Sequence, residues 1–492
     1  MLALAIRHTN KLIRRTVAEE GLRLGRFFTP AAVAKELSAV LPLPEREEVR
    51  LLDAGAGTGI LAVAAIEALC RGGRVRRILL DAYETDARCL PTLTDILERV
   101  RRRAKHDYDV RLAVRIHEED FFAGARGLAE PAPADDRYDI ALTHPPVGVF
   151  AEGSAAEVYS RRVLSRDTDL AYLFAEATAA RLDEDGVMAA VLPTSFADSA
   201  EAAPLRERLF ARAPLLSLSL DFGKRGDRAD KTMLAILRYG EEPPAVTVRV
   251  ATKEGVEELP QIPYPVAVFS SEYKVLLAKS KSDVALVRAM DSFPCRLRDF
   301  DLTVKTGLTI EARYRDCLRK TREDGAVPLL HPAGLFDGQM HFPTPGRDLC
   351  YLVPRIPSLA APNHTMVLVK RVPSKKDGRH LVAGVYFSAQ LPHDAMISTD
   401  NKLNVIKAID GEMEADFASG LAAVLSSRYY ERYCALTGAL LHVNAGALAD
   451  LPLPEYSLIL SIGRRLSVAR NYSLRVVDAV ASAALSPMFL QV

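Results

Sequence analysis

Val49-Arg50-Leu51-Leu52-Asp53-Ala54-Gly55-Ala56-Gly57-Thr58-Gly59 decides the fold. A short apolar run to Asp53 has the length and content of a buried strand. Three glycines at alternate positions then let the backbone turn tightly and approach a ligand closely. The apolar stretch Gly59 to Cys70 follows as a helix. A strand, a glycine turn and a helix in that order aim backbone amides and a helix N-terminus at one point.

Working outward, the same alternation repeats. Arg77 to Glu84, Val110 to His117, Tyr138 to Leu142 and Val187 to Leu192 read as strands. Ala87 to Ala104 and Asp169 to Leu182 read as helices between them, and Ala31 to Val40 as a helix upstream. Strands alternating with helices predict an α/β class, with a mostly parallel, doubly wound sheet. Residues 241–266 hold prolines 243, 244, 260, 263 and 265 and read as connecting structure. Beyond about residue 284 the pattern changes to mixed short strands and loops, closed by helical stretches near 414–436 and 457–486. The expected division is therefore a domain over 1–283 and an α+β domain over 284–492.

Bulk properties exclude several classes. At 492 residues the chain is too long for one ordinary domain. A net charge of +1 gives no global basic field, so any polyanion site must come from local patches. The six cysteines form no Cys-x-x-Cys pair, and the ten histidines lack metal-ligand spacing. Neither a disulfide framework nor a metal site is expected, and a reducing cytoplasm fits. No apolar run reaches the ~20 residues of a membrane span, so no membrane association is expected. Arg7, Lys11, Arg14 and Arg15 sit on an N-terminal helix with no signal core after it.

A glycine loop alone also fits a nicotinamide nucleotide, or a plain tight turn. Asp53 favours S-adenosylmethionine, because a carboxylate there meets the positive end of a methionine moiety, whereas a phosphate would be repelled. Glu84, at the end of the second strand, is placed to accept from ribose hydroxyls. The Gly-Lys-Ser/Thr signature of nucleotide hydrolases is absent.

Where the fourth strand ends, the chain reads Thr143-His144-Pro145-Pro146-Val147. Upstream lies Gly25-Arg26-Phe27-Phe28-Thr29-Pro30, and after the third strand Glu119-Asp120-Phe121-Phe122. For any one of these aromatics, core packing is the commoner role. Taken in order, Phe-x-Thr-Pro, Asp-x-Gly-x-Gly-x-Gly, Glu, Asp-Phe and Pro-Pro resemble the successive motifs of the gamma-class adenine-N6 DNA methyltransferases of restriction–modification type. Thr303 to Gly307, Val327 to Pro332, Gly338 to Pro343, Val367 to Arg371, Asp400 to Asn404 and Leu451 to Pro454 resemble the target-recognition module of the same enzymes. The resemblance spans roughly residues 20 to 455.

The resemblance implies a Rossmann-like methyltransferase sheet with a C-terminal target-recognition domain. It implies an adenine-specific enzyme that takes methyl from S-adenosylmethionine to adenine N6 in double-stranded DNA, with base flipping. That class works with a cognate restriction endonuclease or stands alone. Thr29, Pro30, Asp53, Gly55, Gly57, Glu84, Asp120 and Phe121 would line the cofactor pocket. His144, Pro145, Pro146 and Val147 would form the catalytic tetrapeptide, which in the family reads Asn-Pro-Pro-Tyr. For DNA, Lys370, Arg371, Lys375, Lys376 and Arg379 make a basic strand-turn-strand edge suited to phosphates. Asn401 and Asn404 could read base edges. A solvated hairpin is the plain alternative for that basic cluster. Arg99 to Lys105 read as a solvent-exposed helix end.

The two altered letters matter chemically. A neutral imidazole at 144 can accept one hydrogen bond, but a protonated one would repel the amine. Val147 cannot stack on a base, a contact worth ~1–3 kcal/mol. Phe150, Tyr172 or Phe196 could supply a ring in its place, and each reads more readily as core. The alternatives are a DNA-binding protein that keeps the fold without transferring methyl, and a methyltransferase for another amine such as cytosine N4 or an RNA base.

Overall fold

The computed structural model describes residues 1–20, 28–123, 137–146, 148–164, 168–222, 232–269, 272–373, 377–437 and 445–490. They divide into two compact units, Met1–Lys281 and Ser282–Val492.

The first unit runs α1 (Leu2–Glu20), α2 (Ala31–Val40), β1 (Glu48–Ala54), α3 (Ile60–Gly72), β2 (Arg77–Tyr83), α4 (Leu90–Tyr108), β3 (Arg111–His117), β4 (Tyr138–Thr143), α5 (Ala155–Leu164), α6 (Leu170–Ala179), β5 (Leu182–Pro193), α7 (Ala203–Arg212), β6 (Leu215–Leu220), β7 (Thr232–Arg238) and β8 (Ala245–Ala251). The strands form one sheet in the order β3-β2-β1-β4-β5-β7-β6-β8, with short edge pieces beyond. β1 to β5 are parallel neighbours, while β7 runs antiparallel to both β5 and β6. This is the doubly wound α/β sheet expected from the sequence. Its winding reverses between β1 and β4, where ligands bind in such sheets.

The local reasons are plain. β4 is buried along its whole length and β1 over its last four residues, as parallel strands covered on both faces must be. Every residue of α3 from Ile60 to Cys70 is buried, because the helix lies between the sheet and α1, α2 and α4. Asp169 caps α6, its carboxylate accepting from the Ala171 amide. On α4 the basic run is paired along the helix face, Arg99 with Asp95, Arg101 and Arg102 with Glu98, and Lys105 with Asp109.

One expectation is corrected. Residues 241–266 are not merely connecting structure, since β8 joins the sheet parallel to β6. Val246, Val248 and Val250 are buried while Ala245, Thr247, Arg249 and Ala251 are half-buried, a period of two. The prolines flank the strand, where no ladder amide is needed.

In the second unit, Leu302–Thr306, Leu403–Ala408, Met366–Lys370, Ala383–Tyr386, Gln339–Met340 and Leu335–Phe336 form one six-stranded sheet, in that order. A five-stranded sheet of shorter strands packs its own apolar cluster around Cys317, Leu329 and Leu352. The closing helical stretches are two pairs. Ala415–Leu425 and Arg428–Leu436 separate at Ser427, whose hydroxyl caps the second. Tyr456–Ala469 and Leu474–Leu490 separate at Arg470, which takes a left-handed conformation. Ala415–Leu425 and Tyr456–Ala469 cross at Gly420 and Gly463. A methyl group on either glycine would overlap a carbonyl oxygen of the other helix, that of Ile459 or Asp416.

Candidate active site

Strand register brings the motifs together. Ala54 pairs with Tyr83 on one side and Thr143 on the other. Gly55, Glu84 and His144 are therefore the first residues beyond three adjacent strands. The Thr143 hydroxyl donates to the Ala54 carbonyl at 3.0 Å, tying the ends of β4 and β1. Gly55, Gly57 and Gly59 all take positive φ, which L side chains rarely adopt. At Gly59 an added Cβ would also meet Leu93 at 2.7 Å, whereas at Gly57 nothing lies within 4 Å. The loop is thus packed against α4 at one end and open in its middle.

Glu84 holds this loop. One carboxylate oxygen accepts from the Gly57 amide at 2.6 Å and the other from Asp86 at 2.7 Å. Asp53 is fully buried, and the Ala62 backbone amide lies near its oxygens without the geometry of a full hydrogen bond to either. Burial pushes its carboxyl up to about 7; the Ala62 amide in the first turn of α3 offsets part of this, and the Glu84 charge adds to it. A buried carboxylate without partners is costly unless a cation meets it. The position therefore suits a ligand carrying a cationic amine, which is the fit that an amino-acid-bearing cofactor needs.

His144 follows β4 and meets Thr29, 115 residues earlier in sequence. Thr29 Oγ1 lies 2.8 Å from His144 Nδ1. The ring keeps some exposed surface, yet protein atoms crowd it enough that burial pulls its pKa down to about 4. It is neutral at physiological pH, which removes the repulsion that a charged ring would bring. Thr29 is itself buried, just before α2. That helix is anchored by Glu36, which accepts from Ser219 at 2.9 Å and Arg249 at 2.7 Å. Pro30 is the residue preceding α2, and its carbonyl accepts from Ala34. Pro145 is buried and Pro146 half-buried, while Val147 lies outside the described residues.

The remaining expected residues divide. Asp120 is exposed, with its carboxylate turned back on the Phe122 amide. Phe121 is buried against Tyr83 and Phe174, and the Arg181 guanidinium stands 5.0 Å from its ring. Tyr172 and Phe196 are buried with ring centroids 5.4 Å apart, and the Tyr172 hydroxyl lies 2.9 Å from Ser195 Oγ. Arg206, wholly buried, clamps the loop after β5 by donating to the carbonyls of Phe196 and Ser199. Sequence reasoning gave no sign of this clamp, because a single arginine on a helix face reads as solvated.

In the second unit, Lys370 is buried with Nζ 2.6 Å from Asp377, and Asn404 is wholly buried within its strand. Burial takes both away from a surface edge, contrary to the outward basic hairpin read from sequence. Arg371 donates to the Asn401 carbonyl at 2.9 Å, which joins two of the expected DNA-binding residues. Arg379 donates to the Ser426 carbonyl. Lys375 and Lys376 lie outside the described residues. A cluster that no spacing revealed brings Glu311, His331 and Asp400 within 4.8 Å of one another. His331 Nδ1 accepts the Ala333 amide proton, so Nε2 carries the ring proton and faces the carboxylates as a donor rather than a metal ligand. Among the described residues no helix is long and apolar enough to cross a membrane.

Comparison with known proteins gives a consistent likeness. No protein-family model matches the sequence. The chain is 23% identical over 458 residues to the type II methyltransferase M.BsuBI of Bacillus subtilis, covering 90% of this chain and 89% of that one. It is 24% identical over 474 residues to the type II methyltransferase M.PstI of Providencia stuartii, covering 93% and 92%. Among solved structures, the type IIG restriction endonuclease BpuSI aligns with a TM-score of 0.42 at 12% identity, over 93% of this chain and 66% of that one. The type ISP restriction–modification enzyme LlaGI aligns with a TM-score of 0.40 at 14% identity, over 93% and 56%. The sheet is Rossmann-like, and along nine-tenths of its length the chain is similar to type II methyltransferases.

Proposed function

We propose that the chain is an S-adenosylmethionine-dependent DNA methyltransferase of restriction–modification type, acting on adenine N6 in double-stranded DNA. The observation that carries this reading is the pairing at the switch point. The buried Asp53 carboxylate stands one residue before the end of β1, and the His144-Pro145-Pro146 turn follows the end of the adjacent β4, where Ala54 pairs with Thr143. Asp53 would meet the cofactor's ammonium, and Gly55 and Gly57 would let it approach the backbone. Phe121 and Glu84 support the pocket by packing and by fixing the loop. The cofactor, when bound, supplies an electrophilic methyl group on sulfonium.

The rest belongs to the chain. An adenine N6 inside a duplex is paired and stacked, so the base must be flipped out. Its lone pair is delocalised into the ring. Accepting its two hydrogens, one on His144 and one on the Pro145 carbonyl, localises the lone pair toward the methyl group. A neutral His144 is required for this, and burial keeps it neutral. The second unit would read the sequence, with Arg371 and Asn401, which are hydrogen-bonded to each other, as its candidate contacts, and a cognate endonuclease would recognise the same site.

The test is transfer of labelled methyl to unmodified DNA, followed by nucleoside digestion. N6-methyladenine in one sequence context is expected. Label only in N4-methylcytosine, or only in RNA, would overturn the adenine assignment. A second reading, a DNA-binding protein that keeps the fold without transfer, is favoured by one observation. Tyr172 and Phe196 are turned into the core, so neither ring replaces the missing aromatic at 147. Binding of cofactor and DNA with no transfer would select it.

A further inference from the structure

We propose that Thr29 is a positioning residue that fixes the tautomer of His144, accepting the Nδ1 proton so that Nε2 presents its lone pair to the target amine. This rests on the methyl-transfer reading above. A neutral imidazole has one N–H, and the contact of Thr29 Oγ1 with Nδ1 at 2.8 Å commits that nitrogen to the hydroxyl. Two arrangements satisfy the contact. If the threonine hydroxyl donates, Nε2 carries the proton and meets an amine donor with a donor. If Nδ1 donates, Nε2 is an acceptor, and only this arrangement replaces the amide oxygen of an asparagine. An orienting partner on one ring nitrogen is the ordinary way in which proteins set the function of the other.

The surroundings make Thr29 a stiff reference point. It is buried, it precedes a proline whose ring fixes the next φ, and it enters a helix anchored to β6 and β8 through Glu36. His144 is fixed from the other side by Thr143, which is bonded to Ala54. The pair thus joins two motifs that the resemblance assigns separately, one to cofactor and one to substrate.

The arrangement also gives the departing proton a place. As the bond from N6 to the methyl carbon forms, the sulfur–carbon bond breaks and its electrons stay on sulfur. N6 then carries an excess proton, which passes to His144 Nε2. The imidazolium so formed keeps its Nδ1–H bond to Thr29 Oγ1, and later releases the Nε2 proton to solvent.

The experiment uses the full-length protein labelled with 15N-histidine, with the His144 signal assigned by its loss in His144→Gln. The 15N–1H correlation pattern of the ring distinguishes the Nδ1–H from the Nε2–H tautomer without any turnover. The wild type should show Nδ1–H, Thr29→Val should lose that preference, and Thr29→Ser should restore it. With saturating cofactor, kcat for DNA methylation should fall roughly tenfold to a hundredfold in Thr29→Val, the loss of one hydrogen bond in the transition state. The cofactor Kd, measured by calorimetry, should stay within about threefold. An Nε2–H tautomer in the wild type overturns the proposal. So does a Thr29→Val enzyme that binds cofactor weakly but turns over normally once saturated, which would make Thr29 a cofactor residue only. If the Nδ1–H tautomer is present and no DNA or RNA amine is methylated, the methyl-transfer reading fails while the Thr29–His144 arrangement stands.

Discussion

Replacing Asp53 by asparagine should stabilise the ligand-free protein above neutral pH while weakening its grip on cofactor. The carboxyl is raised from its ordinary 3.8 to about 7 by burial. Between those values the unfolded chain ionises and the folded one does not, so stability falls as pH rises through this window and levels off above it. At ~1.4 kcal/mol per unit, the three-unit shift corresponds to roughly 3 to 5 kcal/mol lost by pH 8. An unpaired asparagine amide and an unpaired protonated acid carry similar burial costs of about 1 to 3 kcal/mol, so the net gain at pH 8 is roughly 3 to 5 kcal/mol. At pH 4 the difference closes, because the protonated acid and the amide bury much the same unpaired neutral polar surface. Denaturant midpoints of wild type and Asp53→Asn across pH 4 to 8 read this directly. Calorimetry supplies the functional half. At pH 6 the buried acid is about nine-tenths protonated, and a cationic ligand should ionise it, releasing close to one proton on binding. That release appears at pH 6 as a dependence of the binding enthalpy on buffer, and it should vanish in Asp53→Asn. A stability difference that ignores pH, with no proton released at pH 6, would refute the reasoning.

His144→Ala should lower kcat by about a hundredfold, measured by labelled methyl transfer, with DNA affinity by filter binding changed less than threefold, since the ring acts on the amine and not on the duplex. Gly59→Ala combines a left-handed φ of 78° with a clash on Leu93, and should cost ~1–3 kcal/mol in chemical denaturation. Phe121→Ala removes a buried ring from the Tyr83–Phe174 cluster and should cost about 3–5 kcal/mol, read as a lower thermal midpoint. Asp377→Ala strands the buried Lys370 ammonium. It should cost ~3–5 kcal/mol, with the salt dependence of DNA binding left unchanged, because Lys370 is engaged inside the protein.

The first unit was legible where strands, turns and helices each carry their own local pattern. Val49–Asp53, the glycine loop and Tyr138–Leu142 were read to within a residue or two of β1 and β4. Asp53 was picked out by its chemistry, and the structure adds that neither oxygen makes a full hydrogen bond. β8 was misread because prolines on both sides outweighed its alternation. Thr29 and His144 could not be linked from sequence, since a hydrogen bond across 115 residues leaves no spacing to read. The same holds for Glu311, His331 and Asp400. Lys370 illustrates a different limit. Lysine-arginine at a strand end resembles an outward basic edge, and only the position of Asp377 seven residues on shows that the ammonium turns inward.

The pairing of Ala54 with Thr143 has a consequence for how this protein can vary. Two loops that leave neighbouring strands start about 4.8 Å apart, one ladder step, whatever the loops beyond them do. Insertions in the stretches after either loop lengthen an arm and leave its shoulder where it was. Removing one residue from β4 would send His144 to the opposite face of the sheet, since side chains alternate along a strand. Tolerance to change should therefore be graded sharply along the chain. It should be wide a few residues past His144 and almost nil across Tyr138–Thr143, and a scan of single-residue deletions would trace that step as a cliff rather than a slope.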